Sequence, residues 1–137
     1  MQHLFVLLAV LLPCLADAGE LWLTLHGDRL EGKTLHVALH TSAADFPMRD
    51  DKALRRTVLA IGDTTELKIS DIPAGEYAVA VYADMNGSGK LDSNFIGIPN
   101  EPTGASRDAA SHYGPPKFKD AVFAIGDGTT MQTIHIK

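Results

Sequence analysis

Residues 71–82, with the sequence DIPAGEYAVAVY, decide the fold of this chain. The first half of the stretch, residues 71–75, combines proline and glycine in a short segment that is typical of a turn. In the second half Tyr77, Val79 and Val81 alternate with two alanines and a tyrosine, which is the period of a β-strand with one buried face. The stretch therefore predicts a turn that leads directly into a core strand.

The same alternation recurs along the rest of the chain. Leucines at every second position predict a strand over residues 20–26, and a similar pattern predicts one over residues 35–40. Residues 52–61 are compatible with both a helix and a strand, and we favour a strand because the neighbouring segments are strands. The remaining strands are predicted at residues 67–69, 118–125 and 131–136.

Seven short strands without a long helix are typical of an all-β protein. We predict a single-domain, seven-stranded β-sandwich with Greek-key connections. The chain has 12 Lys and Arg against 17 Asp and Glu residues, a net charge of −5, and no basic cluster. This charge pattern argues against nucleic acid or an anionic membrane as a partner. We expect a monomer.

The N-terminal residues have the pattern of an export signal. Residues 4–12 form an apolar run that is too short to span a bilayer, and Ala16-Asp17-Ala18 follows it as a signal-peptidase site. We therefore predict a signal peptide over residues 1–18, a mature domain over residues 19–137, and a periplasmic or extracellular location. The only cysteine, Cys14, would leave with the signal; a lipid anchor on it is disfavoured by the proline that precedes it.

Oxygen-bearing side chains follow the predicted core strand at alternate positions. In the order of a calcium-binding loop, the ligands are the side chains of Asp84, Asn86, Ser88 and Asp92 and the main-chain carbonyl of Lys90. A glycine lies where such a loop turns sharply. Carboxylate, amide, hydroxyl and carbonyl oxygens are the ligands that Ca²⁺ takes. The loop therefore predicts a weak Ca²⁺ site, with a Kd of about 0.1–1 mM, and no other cofactor.

A purely structural interpretation of this loop stays open. Phe95 occupies the position at which a calcium loop carries a bidentate glutamate, so Glu101 or Asn94 would have to supply the missing oxygens. The same sequence is also typical of a tight turn, because Asp84 and Asn86 favour Asx-turns and a glycine follows Asn86.

Other polar residues give weaker signals. Ser106, Asp108 and His112 are the residue types of a catalytic triad, but they share one short loop without a nucleophile elbow, so we assign no catalytic residue. Trp22 is either covered by a second layer or exposed as a binding aromatic, and we favour burial because large aromatic side chains are usually buried.

The histidines do not form an evident metal site. His36 and His40 lie on one strand face about 13 Å apart, too far to share a metal ion. His26 is able to approach one of them across a sheet, and we favour ordinary cross-strand packing.

Two stretches carry a resemblance to known proteins. Residues 67–83, a strand, Asp-Ile-Pro-Ala-Gly-Glu-Tyr and a second strand, resemble a recurring corner of transthyretin-like β-sandwiches, including carboxypeptidase regulatory-like modules. Residues 82–102 resemble a bacterial family of secreted proteins of unknown function (domain of unknown function, number 2141), and residues 104–106 and 114–121 are similar to its second half. In this chain Ala83 and Met85 replace the His and Glu expected beside Asp84. The resemblance implies export and a seven-stranded sandwich, and it implies no activity.

Two classes of function follow. The first is an exported, non-catalytic module with the 84–92 loop as a Ca²⁺ site or a structural turn; a glycan- or protein-binding module without metal is a variant of it. The second is a hydrolase on a transthyretin-like sandwich. That hydrolase ends in Tyr-Arg-Gly-Ser, whereas this chain ends in Thr133-Ile134-His135-Ile136-Lys137. We therefore favour the non-catalytic module.

Overall fold

The structure is a computed structural model, and it describes residues 18–49, 51–87, 101–110 and 114–137. The described part is built mainly of short strands. In chain order the elements are β1 (Ala18–His26), β2 (Thr34–His40), β3 (Leu54–Leu59), β4 (Thr64–Pro73), β5 (Gly75–Asp84), β6 (Thr103–Ala105), a 3₁₀ turn (Ser106–Asp108), α1 (Phe118–Ala121), β7 (Phe123–Ile125) and β8 (Thr129–His135). Among these residues no helix has the length and apolar character needed to cross a membrane.

The strands form two sheets. The smaller sheet has the order β4-β1-β8, in which β1 pairs with β4 in antiparallel and with β8 in parallel orientation. The larger sheet has the order β3-β2-β5-β6. Strand β7 pairs with the start of β5, on the edge whose later part pairs with β6. The first and last strands therefore lie side by side.

The core lies between the two sheets and is filled by the alternating residues of the predicted strands. Leu21, Leu23 and Leu25 of β1 are essentially inaccessible to solvent, as are Val79 and Val81 of β5. Because a strand turns every second side chain to one face, each strand supplies a row of apolar contacts. A smaller apolar cluster lies beside this core and contains Phe46, Ala78, Ala105 and Ala121.

The β-sandwich prediction is confirmed, but the described residues form eight strands rather than the seven predicted. The segment 52–61, for which a strand was favoured over a helix, contains the strand β3. The single strand predicted over residues 118–125 is wrong. Its first half is the short helix α1, and only Phe123–Ile125 pairs with β5.

Strand β6 was not predicted, and its central glycine explains how it is accommodated. A Cβ atom on Gly104 would lie 2.7 Å from Ile134 Cγ2 and 2.9 Å from the carbonyl oxygen of His135. Glycine therefore allows β6 to approach β8 closely, and Thr103 exchanges two main-chain hydrogen bonds with Lys137 there.

Candidate functional site

The predicted calcium loop begins at the end of β5, where Asp84 is nearly buried. Asp84 is the last residue of the strand and lies opposite Thr34 of β2. Asp84 is 6 % exposed, and its Oδ2 atom lies 3.4 Å from Nε2 of His36. The His36 ring stacks on Tyr82 with a centroid distance of 4.6 Å and an interplanar angle of 10°. The carboxylate is thus held beside an oriented imidazole.

Glu101 returns to the same end of the strand from the other side of the connection. It is 5 % exposed, and its Oε2 accepts a 2.6 Å hydrogen bond from the main-chain N–H of Met85. The following residue, Pro102, accepts a 2.9 Å hydrogen bond from the N–H of Ala83. The weaker ligand candidate, Glu101, is therefore brought to the residue that directly follows Asp84.

Two nearly buried carboxylates, those of Asp84 and Glu101, lie at this end of β5. Burial of a carboxylate is costly unless a counter-charge or hydrogen-bond donors compensate it, and two carboxylates are nearly buried here. Lys33 also reaches this end of β5, where its ammonium group donates a 3.4 Å hydrogen bond to the carbonyl of Met85. Carboxylate oxygens are ligands for hard cations such as Ca²⁺, so the chemistry of this pair matches the predicted ion.

The remaining predicted ligands are only partly described. Asn86 and Gly87 continue the chain in a bend, and Gly87 adopts a left-handed φ of 75°. Ser88, Lys90 and Asp92 lie outside the described residues, as do Asn94 and Phe95. Within the described ranges no group of three or more His, Cys, Asp or Glu side chains is placed to hold a metal ion. Asp84 and Glu101 alone would thus be a partial set.

Ser106 has a structural role. Its side chain is fully buried, and its Oγ accepts a 2.9 Å hydrogen bond from the N–H of Val79 while donating a 2.6 Å bond to the carbonyl of Ala121. Val79 lies between the part of β5 that pairs with β7 and the part that pairs with β6. The hydroxyl therefore satisfies an N–H that neither strand reaches. His112, the third residue of the triad considered in the sequence, lies outside the described residues.

Asp108 contacts a histidine that the sequence did not connect with it. Its Oδ1 accepts a 2.9 Å hydrogen bond from the N–H of His135, and its Oδ2 lies 2.8 Å from His135 Nδ1. Burial raises the pKa of Asp108, but the two His135 hydrogen bonds and the charges of His135 and Lys137 outweigh it and leave the pKa below its ordinary value. His135 also stacks on His26, its direct partner in the β1–β8 pairing, which is a cross-strand contact of the kind favoured for His26.

Trp22 is exposed, so the preference for burial is wrong. It is 43 % exposed on the outer face of the smaller sheet, where its Nε1 donates to Glu20 Oε1. Lys68 Nζ lies 5.4 Å from the centre of the indole ring and 3.3 Å from Glu20 Oε2. The indole ring thus has an ammonium group and a carboxylate beside it at the surface.

A family model described as "Uncharacterized protein conserved in bacteria (DUF2141)" matches residues 27–133, most of the chain. The chain belongs to this family. The match confirms the resemblance seen in the sequence, and its range contains every residue of the proposed calcium loop together with Glu101. Comparisons with curated proteins and with solved structures find no match. Membership in DUF2141 names no activity.

Proposed function

We propose that this DUF2141 protein is an exported, non-catalytic β-sandwich module whose β5–β6 connection binds Ca²⁺ weakly. One observation carries the proposal: Asp84 and Glu101, at the two ends of that connection, are both nearly buried beside Met85. A carboxylate at each end offers an ion two anchors that are distant in sequence. An ion bound to both would order the residues between them.

Calcium suits this arrangement better than magnesium. Ca²⁺ accepts six to eight oxygens in irregular geometry, whereas Mg²⁺ requires a near-octahedral shell and retains its waters. The side chains that the sequence adds to the carboxylate pair are an amide, a hydroxyl and a further carboxylate, all oxygen donors. A mixed set of this kind favours the larger ion.

Ser106 and Asp108 support a non-catalytic role. The Ser106 hydroxyl is fully buried and donates its proton to a main-chain carbonyl, so it is not presented to a substrate. Asp108 contacts His135, whereas the triad considered in the sequence contained His112. The residues that most resembled hydrolytic machinery thus have other contacts.

Export rests on the pattern of residues 1–18, of which only Ala18 is described. Cleavage after Ala18 would leave Gly19, which pairs with Ile72 of β4, as the first residue of β1. A Cβ atom on Gly19 would lie 2.1 Å from the carbonyl oxygen of Gly126, so this N-terminal position packs tightly. Mass spectrometry of protein recovered from the periplasm or medium tests the assignment. A retained Met1 or a lipid on Cys14 would contradict it.

The Ca²⁺ site is tested by thermal unfolding in a calcium titration. Ligand binding stabilises the folded state by RT ln(1 + [L]/Kd), which is about 1.4 kcal/mol at ten times Kd. We expect 5–10 mM Ca²⁺, on the order of ten times the expected Kd, to raise the melting temperature of the wild-type protein. The same concentration of Mg²⁺ should raise it much less.

Variants separate ion binding from a structural role of the same residues. Asp84→Asn, Asp92→Asn and Glu101→Gln should each reduce the calcium-induced shift, whatever they do to the melting temperature without calcium. Glu66→Gln, at an exposed position of β4, and Ser93→Ala, outside the alternating set, are the matched controls. An unchanged wild-type melting temperature in 5–10 mM Ca²⁺ would show that the connection is a structural turn.

A second candidate function is glycan binding at Trp22. Exposed indole rings stack against the apolar faces of sugar rings, and Glu20 and Lys68 lie beside this ring as hydrogen-bonding groups. Trp22 is the only tryptophan, so its fluorescence reports directly on such stacking. Soluble oligosaccharides should shift the emission in the wild type, and Glu20→Gln should weaken their affinity. Unchanged emission would exclude this function for the sugars tested.

A further inference from the structure

Two histidines meet at the end of the smaller sheet. His26 is the last residue of β1, His135 is the last residue of β8, and they are direct partners in the parallel pairing of these strands. Since side chains of paired residues point to the same face, both rings lie on the outer face of the sheet. The rings stack with a centroid distance of 5.4 Å and an interplanar angle of 21°.

Each ring is oriented through its Nδ1 atom. His135 Nδ1 lies 2.8 Å from Asp108 Oδ2, and His26 Nδ1 lies 2.7 Å from Thr64 Oγ1. A carboxylate beside Nδ1 favours the tautomer that carries its proton there, which leaves the lone pair on Nε2. The Thr64 hydroxyl is able to accept a hydrogen bond from the Nδ1–H group of His26 in the same way. Metal-binding histidines are typically oriented by such outer partners.

The Asp108 carboxylate is itself fixed. Arg107 and Asp108 adopt consecutive left-handed φ values of 56° and 48°, a costly conformation for residues other than glycine. Hydrogen bonds from Arg107 N to Gln132 Oε1 at 3.0 Å and from Arg107 Nη1 to the carbonyl of Val122 at 3.3 Å stabilise this turn. They place the carboxylate against the end of β8.

From this geometry we propose that His26 and His135 form a binding site for a divalent transition-metal ion such as Zn²⁺ or Cu²⁺, with Nε2 of each ring as ligand and Asp108 and Thr64 as orienting residues. Imidazole nitrogen is a preferred ligand of these ions, and waters complete the shell. The side chains of His135 and Asp108 are 51 % and 47 % exposed, so an ion enters directly from solvent.

Binding requires a small movement of the rings. Two imidazole nitrogens at about 2.0–2.1 Å from one ion are roughly 3.3 Å apart in tetrahedral geometry, so the nearly parallel rings must tilt together at their outer edges. Thr64 contacts His26 through a hydroxyl that rotates about its Cβ–Oγ1 bond, whereas His135 is tied to Asp108 twice. We therefore expect His26 to make most of the movement.

This site is distinct from the proposed calcium site. It lies on the smaller sheet and offers nitrogen ligands, whereas Asp84 lies on the larger sheet and offers oxygen. Zn²⁺ should therefore bind with Ca²⁺ present in excess, and calcium should not displace it. Failure of either site leaves the other untouched, so the two proposals are tested separately.

The test is a Zn²⁺ titration of the full chain, followed by calorimetry and by the ¹⁵N resonances of the histidine rings. We expect one Zn²⁺ per chain, with the Nε2 resonances of both His26 and His135 shifting together. His26→Gln and His135→Gln should each weaken Zn²⁺ binding at least about tenfold. Met131→Gln, at an exposed position of β8, is the matched control and should bind as the wild type does.

Asp108→Asn tests the orienting role. The affinity for Zn²⁺ should fall about 10–100-fold, as is typical for loss of an outer-shell carboxylate. The ¹⁵N shifts of His135 should also show a lower population of the Nδ1-protonated tautomer before zinc is added, which loss of fold alone would not produce. Thermal melts of each variant establish that it is folded. Absence of binding at millimolar Zn²⁺, or binding that shifts other histidines only, would overturn the proposal.

Discussion

Replacement of Ser106 by alanine removes a hydroxyl that joins three elements. Ser106 Oγ is fully buried, accepts from the N–H of Val79 and donates to the carbonyl of Ala121. In Ser106→Ala both main-chain groups lose this partner in a site that excludes water. A buried, unsatisfied hydrogen-bonding group costs about 1–3 kcal/mol, so the pair should cost roughly 2–6 kcal/mol. That is a large share of the 5–15 kcal/mol, roughly, by which domains of this size are stable.

The assay is thermal and urea unfolding of the purified variant. A loss of this size should lower the melting temperature by on the order of 10 °C and lower the urea midpoint without changing the slope of the transition. Ser70→Ala is the control, because Ser70 is exposed on β4 and its loss should change stability by less than about 0.5 kcal/mol. If Ser106→Ala has the melting temperature and urea midpoint of the wild type, the hydroxyl does not stabilise β5 between its β6 and β7 pairings, and the proposed role of Ser106 is wrong.

Three further predictions concern the core, the β6 approach and acid stability. Val79→Asp should abolish cooperative unfolding, because it buries an unpaired charge at a cost of several kcal/mol; a folded variant would contradict the placement of the core. Gly104→Ala should lower the urea midpoint, because its Cβ would meet the carbonyl oxygen of His135 at 2.9 Å; an unchanged midpoint would show that β6 shifts freely. The folded-state pKa of Asp108 is below its ordinary value of 3.8, so its stabilisation is present above that pH and is lost as pH falls through the folded pKa. With a metal chelator present, the free energy of unfolding of Asp108→Asn should therefore fall less than that of the wild type between about pH 5 and pH 2. Parallel curves of unfolding free energy against pH would contradict this.

The core strands were predictable because their residues alternate without interruption. Leu21, Leu23 and Leu25 each reach the buried face, and so do Val79 and Val81, since period-two patterning leaves one choice of face. In such strands the alternation of apolar and polar residues alone determines which side chains point to the core. Local sequence and tertiary structure agree there.

The missed elements depend on tertiary contacts. Strand β6 is Thr103-Gly104-Ala105, which has too few residues for any alternation, and it forms because glycine lets it approach β8. Residues 118–121 form one helical turn in a segment whose apolar residues also suit a strand, and only the last three residues of the predicted strand reach β5. Sequence pattern does not distinguish these outcomes in so short a segment.

The candidate sites likewise have a part that local sequence predicts and a part that depends on tertiary contacts. Asp84 was predicted from ligand spacing, whereas Glu101 was named only as a substitute for the missing glutamate. The hydrogen bond that brings Glu101 to Met85 is a contact across the connection that spacing cannot show. The His26–His135 pair was missed because it depends on parallel pairing of the first and last strands. One signal was present: each of these strands ends its outward-facing alternation in a histidine.

The most direct test of the proposed function is an NMR titration of the backbone amides with Ca²⁺. The proposal predicts that the resonances of Asp84, Met85 and Asn86 shift saturably with a Kd of about 0.1–1 mM, while those of Trp22 on the other sheet stay in place. Asp84→Asn should remove the saturable shifts. If the three amides do not move up to about 10 mM Ca²⁺, the connection does not bind calcium and the central proposal is wrong.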